Sequence, residues 1–508
     1  FSLSRGLGDV YKRQDLIILA GDGGGEGGAL TITGNIGTTQ ALTTLSINAG
    51  TGNGDIAFTI PKVGTGGAQG VTGAVTLGNT GSGAITFAGS GANAFDIGGK
   101  LTVTSNAGAA SFLFTGTDTV ITADGGIEFV SGAGSNDTIT LTDQKDLTLA
   151  STDSDIVVTG VVGVANNDGE DFTITITDSG SAGGTATVGA IATDINDVVI
   201  TANTIKLQGN ITTEIDGADA ASIDLNGAVV VDASTVTLTT GNGTIDFSST
   251  VDSTASANNN LTVVSGTGTA IFNGAIGTGT NGALGNLNVN GLTDTSSGNI
   301  TITGNIGTAT AAGAARILIG NGATGTLALD AAEYFSSGGD GTDAAQIYTA
   351  NAFTMSGTDP DFHSAGAAAG ISFVDGATSD IVLTNSADLT IQTNNGTIDI
   401  EPQIKGTGAD TNTDIVLNAS GSSLGSGAVI TLDNPGGAVI GTDIGTVDLT
   451  AHTINLSNDI ETDAENITIS GAVVLTQAAG DYTVIVTTGT NTAVSYTHLT
   501  LPTNKAVG

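Results

Sequence analysis

The sequence contains no cysteine and no tryptophan, and it is poor in proline and in aromatic residues. Its 508 residues include 5 Pro, and aromatic residues make up only 4% of the chain. The absence of Cys excludes disulfides and Cys-ligated metal or redox sites. With so few large rings, we expect a narrow aliphatic core in place of an ordinary globular one. No run of about 18 apolar residues occurs, so no helical membrane span is expected.

Basic residues are also scarce. The chain has 49 Asp and Glu but only 10 Lys and Arg, which gives a formal net charge of -39. This field repels nucleic acid and anionic membrane surfaces, so we predict neither nucleic-acid binding nor membrane insertion by this segment. The abundant carboxylates make Ca²⁺ the one candidate cofactor, although the sequence has neither the tandem repeat of calcium-loaded β-rolls nor an EF-hand loop.

Short repeated units are the most prominent pattern in the sequence. The letters TGNIGT occur at 33–38 and again at 303–308, and the related FNGAIGT occupies 272–278. Each copy leads into a short alternation of apolar residues and Thr or Ser. A unit that recurs although each copy is too small to bury its own apolar face is typical of a stacked repeat architecture.

A second form of the unit has Asp or Asn at the start of an alternating strand. We expect these side chains to hydrogen-bond the local backbone at a corner and to tolerate left-handed conformations. The clearest examples begin at Asp146, Asp155, Asn299, Asp380, Asp388, Asp414 and Asn466.

The patterns together predict an all-β chain that forms an elongated parallel β-helix, or β-solenoid, built from short strand-turn repeats. The spacing of strand starts also suits sandwiches and barrels. Short strands, the recurring unit and the lack of an aromatic core favour the solenoid over tandem immunoglobulin-like sandwiches.

Changes in composition divide the chain into five segments. We predict solenoid repeats over 15–330 and 371–493, separated by an irregular insertion or atypical coils over 331–370, where the repeat fades and aromatic residues collect. Segments 1–14 and 494–508 differ from the rest and resemble the translated adapter-derived tails of metagenomic fragments. The alternative is a genuine basic N-terminal arm and a genuine C-terminal cap.

One local cluster combines carboxylates with a histidine. Asp359, Asp361 and His363 lie within five consecutive residues of the segment 331–370. Carboxylate oxygens and imidazole nitrogen are common metal ligands, so these three residues are the candidate metal site. The alternative is an ordinary exposed turn.

Enzymatic motifs are weak throughout the chain. The glycine pattern of dinucleotide-binding turns occurs at 277–282 and at 320–325, but neither copy precedes a predicted helix. A nucleophile-elbow pattern at 421–425 lacks a strand-to-helix context. We therefore assign no catalytic and no cofactor-binding residues and expect the chain not to be an enzyme. The enzyme alternative is a glycan-active β-helix, a lyase or a hydrolase, for which the chain has few basic and aromatic residues.

The units at 30–50, 270–291 and 299–308 resemble the strand repeats of large bacterial exoproteins, namely filamentous haemagglutinin-type adhesins and autotransporter passengers. The resemblance implies a right-handed parallel β-helix, an extracellular or cell-surface location associated with the outer membrane, and a role in adhesion or biofilm formation. The implied partners are glycans, host or neighbouring cell surfaces, or further copies of the chain. A surface-layer or matrix protein without a specific ligand is the structural alternative.

Overall fold

The structure is a computed structural model, and it describes most of the chain between residues 14 and 499. The described residues are 14–19, 30–32, 34–48, 58–60, 62–64, 69–79, 85–89, 91–105, 111–115, 118–130, 138–142, 145–164, 169–177, 183–213, 220–280, 282–291, 296–338, 345–356, 359–375, 379–407, 413–421, 427–434, 437–462, 466–476, 486–488 and 494–499.

Short β-strands account for the regular structure, and no helix occurs within these ranges. The strands are β1 Asp15–Leu19, β2 Leu30–Thr31, β3 Thr44–Asn48, β4 Phe58–Ile60, β5 Val75–Asn79, β6 Ile85–Phe87, β7 Gly91–Ile97, β8 Leu101–Ser105, β9 Ser111–Phe114, β10 Thr119–Ala123, β11 Ile127–Val130, β12 Thr138–Leu141, β13 Leu147–Thr152, β14 Ile156–Val158, β15 Val161–Val164, β16 Glu170–Thr177, β17 Thr185–Val188, β18 Ile191–Leu207, β19 Ile211–Thr213, β20 Ile223–Val231, β21 Thr235–Thr239, β22 Ile245–Phe247, β23 Val251–Ser253, β24 Asn260–Val264, β25 Ala270–Phe272, β26 Leu284–Val289, β27 Ile300–Ile302, β28 Ala314–Gly320, β29 Thr326–Leu329, β30 Glu333–Ser336, β31 Gln346–Ala350, β32 Ala352–Met355, β33 Asp361–Ala367, β34 Ile371–Asp375, β35 Asp380–Leu383, β36 Leu389–Asn394, β37 Thr397–Ile400, β38 Gln403–Gly406, β39 Ile415–Asn418, β40 Val429–Leu432, β41 Val447–Leu456, β42 Ile460–Thr462, β43 Ile467–Leu475, β44 Val486–Thr488 and β45 Val494–Leu499.

The predicted β-solenoid is confirmed. The strands stack in parallel, with about 13 turns in all, and the chain divides into two compact units, 1–204 and 205–508. In the first unit β8 pairs with β11 and β11 with β14. In the second unit β24 pairs with β26 and β26 with β28. Both β11 and β26 therefore hydrogen-bond the equivalent strands of the preceding and following coils.

Alternation along each strand separates an inner from an outer face. β24 has the burial pattern intermediate-buried-intermediate-buried-intermediate, so Leu261 and Val263 point inward while Thr262 points outward. The inward side chains pack on their equivalents in adjacent coils: Leu261 lies in register with Val236 of β21 and Leu287 of β26. All three are fully buried. This stacking explains why strands of three to six residues suffice to form a core.

Glycines stand where two coils approach each other at a corner. A Cβ built on Gly298 would lie 1.5 Å from the carbonyl oxygen of Gly268, one coil earlier. At Gly266 the backbone has a positive φ of 59°, and an added Cβ would lie 1.7 Å from the oxygen of Gly241. No other residue fits either position without a shift of the backbone.

The interior is less purely aliphatic than the composition suggests. In the first unit the rings of Phe87 and Phe114 stack with their centroids 4.7 Å apart. In the second unit Tyr334 stacks on Phe362 at 4.4 Å. The few aromatic residues are concentrated in particular coils, where their rings stack on one another.

The segment 331–370 contains four of the strands, β30 to β33. β30 pairs with β33, and β33 in turn pairs with β36. The aromatic residues that interrupt the sequence repeat point into the interior, where Tyr334, Tyr348, Phe353 and Phe362 are fully buried. These coils differ from their neighbours in the composition of their core.

A substitution inside the stack tests this packing. We expect Leu261→Ala to destabilise the protein by about 2 to 5 kcal/mol, because the cavity would lie between two coils that cannot collapse onto it. The outward substitution Thr262→Ala on the same strand is the control and should change stability by less than about 0.5 kcal/mol. Urea unfolding followed by circular dichroism measures both. Equal effects of the two substitutions would contradict the assigned inner face.

Candidate functional site

Acidic side chains at one corner of the second unit connect successive coils. Asp359 Oδ1 accepts a hydrogen bond from the backbone N–H of Asp388 at 3.1 Å, 29 residues on. Asp388 Oδ1 accepts from the N–H of Asp414 at 2.8 Å. Asp414 Oδ1 accepts from the N–H of Thr446 at 2.7 Å. We call the residues Asp359, Asp388 and Asp414 the aspartate ladder.

The same arrangement occurs elsewhere with Asp or Asn. In the first unit Asp146 Oδ1 accepts from the N–H of Asp171 at 3.1 Å, and Asp171 Oδ1 accepts from the N–H of Asp197 at 3.0 Å. In the second unit Asn299 Oδ1 accepts from the N–H of Thr326 at 2.9 Å. The sequence predicts local hydrogen bonds for such corner residues. In these cases that prediction is wrong, because the acceptor oxygen satisfies a backbone donor of the next coil.

The ladder places like charges above one another. Burial raises the pKa of Asp388; the hydrogen bond from Asp414 opposes this shift, and the charges of Asp414 and Asp359 add to it. Burial likewise raises the pKa of Asp146, where the charges of Asp171, Asp118 and Glu170 act in the same direction. Each ladder carboxylate thus gains a coil-to-coil hydrogen bond at the expense of repulsion from its neighbours.

A second group of acids lies on an outward face of the second unit. Burial raises the pKa of Asp399, and the charges of Glu401 and Asp433 raise it further. Glu401 Oε2 accepts a hydrogen bond from the N–H of Asp375 at 3.0 Å. The charge imbalance of the sequence is therefore concentrated locally by the stacking of coils.

The residues of the predicted metal site lie at a corner and on the adjoining strand β33. Asp359 is exposed and belongs to the aspartate ladder, whereas Asp361 and His363 point outward from β33. His363 stacks on Phe335 of β30 with ring centroids 4.4 Å apart. Asp361 lies in register with Glu333 of the same strand β30. Glu333 is thus an acidic neighbour of Asp361 from the preceding coil, which local sequence could not indicate.

Glu333 and Asp361 form a pair of adjacent carboxyls. Burial raises the pKa of Asp361, while the charge of His363 acts to lower it. Burial and the charge of Asp361 raise the pKa of Glu333. Across the described part of the chain no group of three or more His, Cys, Asp or Glu side chains is arranged to hold a metal ion. Metal binding by Asp359, Asp361 and His363, and calcium binding in general, remain predictions.

A buried polar network lies among the aromatic residues of the segment 331–370, and no sequence motif indicates it. Gln346 is fully buried, and its Nε2 donates to the carbonyl oxygens of Tyr334 and His363, both at 2.8 Å. The hydroxyl of Tyr348 donates to Gln346 Oε1 at 2.9 Å. Because buried polar groups need partners, this network helps to fix the register between the coil that contains β30 and β31 and the next coil, which contains β33. Only the pairing of the coils brings its members together.

The first dinucleotide-type glycine pattern, at 277–282, packs against the side chain of Asp252. The N–H of Gly279 donates to Asp252 Oδ1 at 3.0 Å. A Cβ on Gly279 or on Gly282 would lie 2.7 or 2.8 Å from the carboxylate oxygens of Asp252. The glycines therefore let a loop close over an internal carboxylate, and no βα turn is present there to receive a phosphate.

The second such pattern, at 320–325, is also a corner. Gly320 has a φ of 80°, and the buried Asn321 donates through Nδ2 to the carbonyl oxygens of Asn290 and Ser296 at 2.9 and 3.0 Å. Most of the predicted nucleophile-elbow pattern, 421–425, lies outside the described residues.

A groove on the first unit combines charges of both signs. It has a volume of about 330 Å³ and is lined by Lys100, Gly125, Ile127, Glu128, Asp153, Ser154, Asp155 and Val157. Lys100 Nζ forms an ion pair with Glu128 Oε2. We call this depression the charged groove. It brings together residues from three consecutive coils, and no short sequence motif signals it.

The chain matches no protein-family model, no curated protein and no solved structure. The fold by itself defines a β-solenoid repeat protein. Within the described residues there is no helix long and apolar enough to cross a membrane.

Substitutions of Asp388 test the effect of the ladder's hydrogen bonds on stability separately from the effect of its charge. Asp388→Ala removes the acceptor for the N–H of Asp414 and should cost about 1 kcal/mol of stability. Asp388→Asn keeps an acceptor oxygen and removes the repulsion from Asp359 and Asp414, so its stability should equal or exceed that of the wild type. Thermal unfolding of the three proteins measures the difference. If Asp388→Asn loses as much as Asp388→Ala, the hydrogen bond is not the stabilising feature.

The raised carboxyl pKa values predict how stability depends on pH. Between the ordinary pKa of an unfolded Asp and the raised pKa in the fold, the folded chain binds more protons, so stability falls as pH rises through that window. We expect a higher thermal midpoint at about pH 5 than at about pH 8. Asp399→Asn should reduce this dependence, because burial and the charges of Glu401 and Asp433 raise the pKa of Asp399.

Asp232 provides the matched control for the pH experiment. Burial acts to raise its pKa, but hydrogen bonds from Gln208 and Thr254 and the charge of Lys206 outweigh burial and lower the pKa. Its contribution to stability is therefore lost as pH falls, so Asp232→Asn should not reduce the advantage at low pH. A midpoint that rises steadily with pH in the wild type would contradict the predicted sign.

Proposed function

We propose that this chain is a structural and adhesive repeat segment of a secreted or cell-surface bacterial protein, in which it acts as a rigid acidic scaffold. The observation that carries the proposal is the coil-to-coil continuity within each unit. Parallel strand pairing, buried aliphatic stacks and corner hydrogen bonds such as that from Asp414 N–H to Asp388 all join one coil to the next. Such repetition builds an extended surface from nearest-neighbour contacts.

The outer surface supports the same proposal. Thr, Ser and Asn occupy the outward positions of many strands, as in β16, whose buried positions alternate with Thr173 and Thr175. The net charge of -39 keeps copies of the chain apart in solution and favours solubility. A repeated polar surface on a stiff core suits weak multivalent contacts with glycans or with neighbouring cells. A matrix or surface-layer role without a specific ligand is the alternative within this class.

A glycan-active enzyme remains the alternative from another class, and the charged groove is the observation that favours it. Glu128, Asp153 and Asp155 line the groove together with Lys100, and paired carboxylates are the groups that glycoside hydrolysis requires. Against it, Lys100 forms an ion pair with Glu128. Release of products from a panel of polysaccharides would favour the enzyme over the scaffold.

Cell attachment tests the adhesive proposal. We expect non-adherent bacteria that display the chain to attach to glycan-coated or cell-covered surfaces at least about tenfold more than bacteria that display an unrelated acidic protein, because many weak contacts add up. The Leu261→Ala variant is the structural control and should reduce attachment if the intact stack is needed. Equal attachment by both displayed proteins would leave the matrix role and exclude adhesion by this segment. Repeating the assay with and without millimolar Ca²⁺ tests the predicted cofactor.

A further inference from the structure

Buried hydroxyl groups close corners of the same kind in both units. At these corners an almost fully buried Ser or Thr donates a hydrogen bond to the carbonyl oxygen three residues further along the chain. The pairs are Ser151 with Ser154, Thr240 with Gly243, Ser265 with Gly268 and Thr393 with Gly396, at 2.5, 2.9, 3.1 and 3.0 Å. Each bond gives a partner to a hydroxyl that is shielded from water.

Ser364 occupies such a position but does not make this bond. It is in register with Thr393 of the next coil and is fully buried, yet its hydroxyl has no hydrogen-bond partner among the described residues. Ile371 is in register with Ile398, so six residues lie between Ser364 and Ile371, whereas four lie between Thr393 and Ile398. We call residues 364–370 the long corner. Its two additional residues keep it from closing as the tighter corners do.

The backbone of the long corner is also strained. The pairing of β33 with β36 shifts register between Ser364 and Ala367, which marks a bulge. Ala368 has a φ of 62°, a left-handed conformation that is unfavourable for alanine. In the corner of the next coil Asn395 has a φ of 60°, and Asn tolerates this conformation. The long corner is therefore held in a conformation that its own residues disfavour.

Hydrogen bonds fix the two ends of the long corner. Just before it, the carbonyl oxygen of His363 accepts a bond from Nε2 of the buried Gln346 at 2.8 Å. At its end, the carbonyl oxygen of Gly370 accepts a bond from the N–H of Ala345 at 2.9 Å. Phe362, which precedes His363, is fully buried and stacks on another ring. Both ends are thus tied to the interior of the second unit.

Asn394 of the next coil holds the middle of the long corner. Its carbonyl oxygen accepts a hydrogen bond from the N–H of Ala368 at 3.0 Å, and its Nδ2 donates to the carbonyl oxygen of Ala365 at 3.3 Å. Ala365, Ala367 and Ala368 are exposed, so they bury little apolar surface. Stretches with few buried apolar contacts and exposed backbone hydrogen bonds are the ones that open locally in a folded protein.

From these observations we infer that the long corner is a flap, whose residues between His363 and Gly370 open away from Asn394 while the two ends stay in place. Opening relieves the backbone strain at Ala368 and lets water reach the hydroxyl of Ser364. It also exposes the buried polar network around Gln346 without separating the stacked rings. This conformational device belongs to one coil and is independent of the proposed adhesive function.

Hydrogen–deuterium exchange of the full chain, followed by mass spectrometry of its peptides, tests the inference. We expect the amides of the long corner to exchange at least about tenfold faster than those of the adjoining strand β34, after correction for intrinsic rates, because local opening exposes them first. The amides of Ala368 and Ala369 are the informative ones, since both donate hydrogen bonds in the closed state. Exchange as slow as that of β34 would overturn the inference.

Substitutions separate a strained flap from an ordinary exposed loop. Ala368→Gly relieves the positive φ and should slow exchange of the long corner at least about fivefold. Ala367→Gly is the matched control: it makes the same change one residue earlier, where φ is not positive, and should not slow exchange. Asn394→Ala removes the donor to Ala365 and should speed exchange about fivefold.

A further variant tests the buried hydroxyl. Ser364→Ala removes a hydroxyl that lacks a partner in the closed state and should also slow exchange. Exchange of the distant strand β24 in the same samples should not change, which shows that each variant is folded. If neither Ala368→Gly nor Ser364→Ala slows exchange, or if Ala367→Gly slows it equally, strain does not drive the opening and the inference is overturned.

Discussion

Parallel pairing between equivalent strands of successive coils governs the core, the corners and the distribution of charge in this protein. A coil that stood alone would expose its inward residues, because Leu261 is buried by Val236 and Leu287 of the adjacent coils. Stability in such a stack comes from nearest neighbours. Every corner must then recur at a compatible position, which is why glycine occupies the close approach between Gly298 and Gly268.

The same constraint produces the electrostatics of the chain. Equivalent positions in successive coils lie one strand spacing apart, about 4.8 Å, so a corner that prefers Asp in each coil becomes a column of carboxylates. The hydrogen bond from the N–H of Asp414 to Asp388 opposes the rise in pKa that burial and like charges produce at Asp388. Aspartates at the corners therefore join successive coils through hydrogen bonds and at the same time repel one another through their charges.

Surface features of this fold arise from differences between coils. The charged groove is lined by Lys100, Glu128 and Asp155, which come from three consecutive coils. The aromatic coils exist because Tyr334, Tyr348 and Phe362 replace aliphatic residues at inward positions of successive turns. In a repetitive scaffold, residues that differ from their equivalents in the adjacent coils are the positions that can provide specific binding or alter stiffness. Comparison of residues one coil apart finds them, whereas motif searches along the chain do not.

Much of the fold follows from local sequence. Alternation of apolar residues with Thr separates inner from outer faces, as in β24, and Gly, Asn and Asp mark the corners. The surroundings of the candidate metal site do not follow from local sequence. Asp359 accepts a hydrogen bond from the N–H of Asp388 in the next coil, and Asp361 and His363 lie beside Glu333 and Phe335 of the preceding coil.

Composition and the two-residue period act locally, so the residues alone indicate an all-β chain that is aliphatic along its strands and strongly acidic. Which residue lies above which depends on how the coils pack. Corner contacts in the aspartate ladder join residues 29, 26 and 32 positions apart. Because this spacing is unequal, no fixed repeat length in the sequence predicts which residues pair. The partners of Asp388 and Lys100 come from other coils, since parallel pairing is set by the packing of whole turns and not by neighbouring residues.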